Sequence, residues 1–174
     1  MRLLIIRHGE TVENREGVIT GQKPGRLTAR GKAHAEALAR QLSKVDIAII
    51  LSSDLKRCRD TVAIIRRRVK APVAYRKELR EISSGIFDGK TMPYLRAAMA
   101  ASKSSRIRFK PKHGESLLEF RRRVRTAIGL LRADDKLRGA SVLICSHTAW
   151  TREFLRVVRK PKLFDRSIIF VELR

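Results

Sequence analysis

The chain has 174 residues, and 40 Lys and Arg against 17 Asp and Glu leave a formal net charge of +23. A single domain, residues 1–174, can bury roughly 70% of its unfolded surface at this length and needs no staple, while two cysteines, Cys58 and Cys145, exclude a disulfide framework and fit a reducing cytoplasm. The opening apolar run Leu3–Ile6 is too short for a signal sequence, and no later run reaches membrane-spanning length.

In chain order, Arg2 to Arg7 reads as a strand that delivers Arg7, His8, Gly9, Glu10 and Thr11, then Asn14. An imidazole beside a guanidinium at a strand end suits a nucleophile for a phosphate ester. Arg7 can neutralise phosphate oxygens, and the neighbouring cation disfavours imidazolium, which keeps His8 a free base able to attack phosphorus. Thr28 caps a helix through about Ser43, and Asp46 to Leu51 is the second strand. Leu55, Cys58, Val62, Ile65 and Val69 then step by three and four to make one apolar helical stripe, opposite Arg59, Arg66 and Arg67.

Pro72 to Tyr75 is a third strand, followed by Glu78, Glu81 and Asp88 in a loop. Gly85 to Thr91 resembles a P-loop but has three residues between its glycines where four are needed. Thr91, with Pro93 in the first turn, opens a short helix to about Ala101, and Ala101 to Gly114 reads as a mobile basic loop. Ser116 to Glu119 is a capping box, and Leu117, Phe120, Val124, Ile128 and Leu131 continue it as a stripe ending near Ala133. Ser141 to Ser146 and Ser167 to Leu173 complete the strands, with Trp150 expected to pack its helix against the sheet. Neither cysteine has an Arg six positions on, as a cysteine phosphatase requires; Ile64 and Thr151 stand there.

Strands alternating with helices argue for a mostly parallel sheet covered on both faces, with function at the carboxyl ends of the strands. Arg7 and His8 end the first strand, Arg57 follows the second and His147 follows Ser146, so a parallel sheet brings all four to one crevice. Two Arg and two His around one anion offset the charge of a phosphate monoester and of its five-coordinate transition state, with no metal or cofactor required. A carboxyl group must protonate the leaving alkoxide and later deprotonate water. Glu81 is the candidate, with Glu78 and Asp88 competing. The basic residues are spread over several helices without interleaved aromatics, so they read as a solvated surface that holds nucleic acid only non-specifically.

Arg7 to Asn14 (RHGETVEN), Thr20-Gly21, Leu27 to Gly31, Ser52 to Arg57, Leu79 to Glu81 with Gly85 and Gly89, Gly114 to Ser116, and Ser146-His147 resemble, in that order, the motifs of the histidine phosphatase superfamily. That group contains cofactor-dependent phosphoglycerate mutases and many small phosphatases, and the resemblance covers nearly the whole chain. It implies that His8 is phosphorylated, that Glu81 is the acid and base, and that Arg7, Arg57 and His147 hold the phosphoryl group. It further implies a hydrogen bond from Asn14 and a substrate site that includes Thr20, Gly21 and Thr148. The implied fold is α/β, a three-layer α/β/α sandwich whose central sheet is mostly parallel with one antiparallel strand.

Two departures add bulk and charge near the mouth: Thr148-Ala149 stand where two glycines are common, and Arg26 where proline is usual. Mutases of the family are associated with longer inserts over the site, and here only Lys90 to His113 is available. The expectation is a phosphatase acting on an anionic small-molecule phosphate monoester, such as a sugar phosphate, a phosphoglycerate or a nucleotide-pathway monoester. The alternatives are a phosphoglycerate mutase and, more remotely, a basic nucleic-acid-binding protein with a degenerate site.

Overall fold

The structure is a computed structural model that describes residues 1–158, 162–165 and 167–173. Arg2–Arg7 (β1), Ile49–Ser53 (β2), Val73–Arg76 (β3), Ser141–Ser146 (β4), Lys162–Asp165 (β5) and Ile168–Glu172 (β6) form one sheet in the order β3-β2-β4-β1-β6-β5. The pairs β2·β3, β2·β4 and β1·β4 are parallel, and β6 runs antiparallel to both β1 and β5. One strand is therefore reversed among six. Five strands agree with the sequence reading to within a few residues; β5, four residues long, is not among the strands expected from sequence.

The helices are Val12–Arg15 (α1), Ala29–Leu42 (α2), Lys56–Ile65 (α3), Met92–Ala101 (α4), Leu117–Ala133 (α5) and Thr148–Val157 (α6). Successive side chains of a strand point to opposite faces, and this splits the core in two. Leu3 and Ile5 of β1, with Val142 and Ile144 of β4, meet Phe120, Val124 and Ile128 of α5 and Trp150 and Phe154 of α6. Leu4 and Ile6, with Leu143 and Cys145, meet Leu38 and Leu42 of α2 and Cys58, Val62 and Ile65 of α3. These two layers of helix around the sheet are the expected α/β/α sandwich. Trp150 is fully buried, stacked on Phe154, and donates from Nε1 to the Glu78 carbonyl, as its packing role requires.

Local chemistry sets the helix ends. Thr28 accepts from the Gly31 amide at the start of α2, and Ser116 and Glu119 exchange the two bonds of a capping box at the start of α5. Thr91 occupies the cap position of α4 but its side chain makes no capping bond. β2 runs two residues beyond the expected Leu51, because Ser52 and Ser53, polar in sequence, are fully buried and continue the ladder. The segment after α4 is irregular, as expected, yet it is tied down: the Ile86 amide donates to the Lys112 carbonyl, the Leu118 amide to the Ile107 carbonyl, and Phe109 contacts the Phe87 ring. No helix among the described residues is long and apolar enough to cross a membrane.

Candidate active site

Strand register brings the two histidines together. Arg7 of β1 pairs with Ser146 of β4, so the residues that follow, His8 and His147, leave the sheet side by side, and the His8 amide donates to the Ser146 carbonyl at 3.1 Å. Their ring centroids lie 5.1 Å apart. Arg57 enters from the first turn of α3, whose start follows the carboxyl end of β2. Its guanidinium is fully buried, held by the Gly21 carbonyl (2.7 Å) and the Lys23 carbonyl (3.0 Å), which leaves Nε–H aimed at His8 Nε2 and His147 Nδ1, each at 3.2 Å.

These contacts fix the tautomers. His8 Nδ1–H donates to the Gly9 carbonyl at 2.8 Å, so Nε2 carries the lone pair. Burial pushes the His8 pKa down to about 3, with the Arg57 and then the Arg7 charge adding to it against the opposing Gly9 bond. The ring is a neutral base at any ordinary pH. His147 is fully buried and lies well below the usual histidine range, first through burial and then through Arg57. With Nδ1 facing Arg57, its Nε2–H donates to Ser53 Oγ at 2.9 Å.

Glu81 closes the set. Its two carboxylate oxygens accept from the Ile82 amide (3.0 Å) and from the Ala149 amide in the first turn of α6 (3.2 Å). Burial raises its pKa above the usual carboxylate value, against those two bonds and the attraction of Arg57 and Arg7. A carboxyl group so placed can hold a proton closer to neutrality than a free glutamate can. Its backbone is clamped: Arg123 of α5 donates to the carbonyls of Glu78 (3.0 Å), Arg80 (2.8 Å) and Glu81 (3.1 Å), while pairing with Glu115.

Arg7, His8, Asn14, Thr20, Gly21, Arg57, Glu81 and Thr148 all line one cavity of about 530 Å³. The eight expected site residues among them are thus brought together, and His147 reaches the cavity through Arg57. Arg7 is exposed, and its side chain makes no hydrogen bond or ion pair among the described residues. Asn14 Oδ1 accepts from the Thr11 amide in the capping box of α1, so its NH2 group remains to donate. Thr20 Oγ1 and Thr148 Oγ1 are buried without a hydrogen-bond partner among the described residues. Gly21 has φ of 52°, and a Cβ there would collide with the Asp88 carboxylate, so the turn admits only glycine.

The competing carboxylates lie outside this cavity. Asp88 accepts from the Gln22 and Ser84 amides, and neither it nor Glu78 lines this cavity. Arg26 and His113 are likewise outside its lining. Sequence reasoning did not single out Thr61, whose Oγ1 accepts from the Gly9 amide (3.0 Å) and donates to the Arg57 carbonyl (2.7 Å), tying the His8 loop to α3. It lies four residues after Arg57, on the same helix face, and that spacing is the available signal. Ser53 and Arg123 were not given roles either. Among the described residues there is no group of three or more His, Cys, Asp or Glu placed to hold a metal ion.

A neutral histidine with an unprotonated Nε2, cations for an anion and a buried carboxyl at the end of a parallel sheet define a phosphoryl-transfer enzyme. Residues 3–165 match the histidine phosphatase superfamily, branch 1, and the chain belongs to that family, whose phosphohistidine chemistry acts on phosphate monoesters. It is 31% identical over 155 residues to an Escherichia coli protein named "Probable phosphoglycerate mutase GpmB", spanning 84% of this chain and 69% of that one. The alpha-ribazole phosphatase of Shigella flexneri is similar in structure, with a TM-score of 0.77 and 31% identity over 87% of this chain and 76% of the other. A mycobacterial glucosyl-3-phosphoglycerate phosphatase, solved with VO3, has a TM-score of 0.77 and 26% identity over 90% and 79%.

Proposed function

We propose that His8 is the nucleophile of a phosphatase that transfers the phosphoryl group of a small-molecule monoester to water, with Glu81 as acid and base. The observation that carries this reading is the His8 imidazole itself, a residue of the cavity lining held neutral with Nδ1–H spent on Gly9 and its lone pair on Nε2, beside the Arg57 Nε–H. In the first half-reaction Nε2 attacks phosphorus, the P–O bond to the alcohol breaks, and Glu81 gives its proton to the departing oxygen. In the second, Glu81, now a carboxylate, takes a proton from water, which attacks phosphohistidine and releases inorganic phosphate. Arg57, Arg7 and the Asn14 amide hold the equatorial oxygens, where donors fixed before the reaction are most effective, and His147, whose Nε2–H is spent on Ser53, acts on the phosphoryl group through Arg57. Thr20, Gly21 and Thr148 complete the wall around the phosphoryl group.

Two kinds of name occur among the relatives, mutase and phosphatase. Water as acceptor is favoured by the exposure of Arg7, a residue of the cavity lining, since solvent that reaches Arg7 is close to phosphohistidine. The two buried, unpaired cysteines support the cytoplasm as its place of action.

The test is phosphate release from p-nitrophenyl phosphate and from alkyl phosphates, for wild type, His8→Ala and Glu81→Gln. His8→Ala is expected to lose turnover and phosphoenzyme together. Glu81→Gln should slow the alkyl esters by about 10²–10⁴-fold and the p-nitrophenyl ester much less, because p-nitrophenolate leaves without a proton. Isomerisation of phosphoglycerate in a bisphosphate-primed assay, faster than phosphate release, would overturn the choice of water.

A further inference from the structure

Helix α4 carries Met92, Leu95 and Met99 at steps of three and four, the spacing of a core-facing stripe. The corresponding stripes of α2, α3 and α5 are buried in the two cores. On α4 no residue reaches core burial: Leu95 and Met99 are half-buried, and Met92 is 45% exposed. All three side chains instead line the cavity that holds His8, Arg7 and Glu81, and Phe109 and Leu117 line it with them. The stripe has no protein core to pack on, and the space it faces is continuous with the site where phosphorus must sit.

That continuity identifies the occupant. A phosphate ester lying against His8 and Arg7 extends its alcohol half into the remainder of the cavity, whose volume of about 530 Å³ is typical of small-molecule sites at roughly 300–1,000 Å³. A sugar or glycerol there would set hydroxyls against methionine and leucine with no partner on that side. The basic segment after α4 adds Arg106 to the lining but also Phe109 and Pro111, so the wall is less polar than its sequence suggests.

We propose that the alcohol half of the substrate is an apolar body, alkyl or aryl, which packs on Met92, Leu95 and Met99 of α4 and on Phe109. The proposal rests on the hydrolase reading above for its chemistry and on the α4 stripe for its specificity. Two thioether side chains give the wall adaptable shape, which suits a range of apolar alcohols more than a single one.

The n-alkyl phosphates from propyl to hexyl test this, because their leaving alkoxides are nearly equal in basicity and the series reports contact instead of chemistry. Wild type should gain about two- to fourfold in kcat/KM for each added methylene, and the Leu95→Ser, Met99→Ser double variant should flatten that rise. Leu95 and Met99 are half-buried and belong to neither core, so the double variant is expected to keep its fold, checked by circular dichroism. A second arm measures n-alkylphosphonates binding to His8→Ala by calorimetry, where no P–O ester bond exists to be cleaved. Affinity rising with chain length, and flattened when Leu95→Ser and Met99→Ser are added, supports the wall even if no ester is hydrolysed, an outcome that sinks the hydrolase reading alone. Esters hydrolysed through His8 with no gain along the series, or glycerol phosphate preferred over butyl phosphate, overturns the wall and leaves the hydrolase reading standing.

Discussion

Replacing His8 with Asn removes a buried imidazole whose protonation the folded state resists, and the stability of the protein must show it. The side chain titrates at 6.5 when unfolded and about 3 when folded. Between those values the unfolded chain binds more protons, so stability rises with pH; it is fully present above 6.5 and is lost as pH falls through the window toward 3. At about 1.36 kcal/mol per pH unit the full linkage is about 5 kcal/mol, of which about 2 kcal/mol falls between pH 7 and pH 5. Asn can keep a donor near the Gly9 carbonyl, so the substitution carries a pH-independent cost and deletes the titration. His147, depressed for similar reasons, and the repulsion of a basic chain act in both proteins and cancel in the difference. Urea unfolding at pH 7, 6 and 5 and constant ionic strength should therefore show wild type losing about 2 kcal/mol more than His8→Asn. Parallel losses would mean that His8 is not held neutral by burial, and the argument for a free nucleophile would fall with it.

Three further outcomes follow from the geometry. Arg57→Lys cannot serve the Gly21 and Lys23 carbonyls and both histidines at once, and kcat/KM on p-nitrophenyl phosphate should drop by about 10²–10³; unchanged kinetics would reduce Arg57 to a diffuse charge. Arg123→Met releases the carbonyls of Glu78, Arg80 and Glu81, so kcat on an alkyl phosphate should fall more than kcat on p-nitrophenyl phosphate, and equal losses would show that the clamp does not act through Glu81. Gly31→Ala, a change that stabilises most helices, should here cost about 1–3 kcal/mol by thermal unfolding, because a Cβ would strike the Glu10 backbone; a raised Tm would refute that contact.

The chemistry was more legible than its surroundings. Arg7, His8, Arg57 and His147 follow short aliphatic runs, and a parallel sheet brings such strand ends together whatever else varies, so these positions can be read without coordinates. Glu81 could be named but not separated from Glu78 and Asp88 by pattern alone. Only the fold shows Asp88 spent on the Gln22 and Ser84 amides, and Glu78 away from the cavity. That one strand is reversed entered through resemblance, and only the fold shows it to be β6, since strand direction leaves no mark in a five-residue run. Ser53 looks like any serine after a strand until its contact with His147 is seen. The stripe on α4 was visible as a short helix, but periodicity says which residues share a face and not what that face meets.

The close approach at Gly31 has a wider meaning for how such a molecule diversifies. A Cβ on Gly9 would meet the Gly31 carbonyl and one on Gly31 the Glu10 carbonyl, so the nucleophile loop and α2 touch main chain to main chain with no side chain between them. Such a joint has no side-chain slack, and the loop and α2 should shift as one body. On the other side of the same cavity, α4 is anchored by no buried residue. Drift in sequence can therefore reshape the recognition wall without disturbing the anvil on which the phosphoryl group is struck, so relatives sharing this reaction are free to part company over the alcohol they accept.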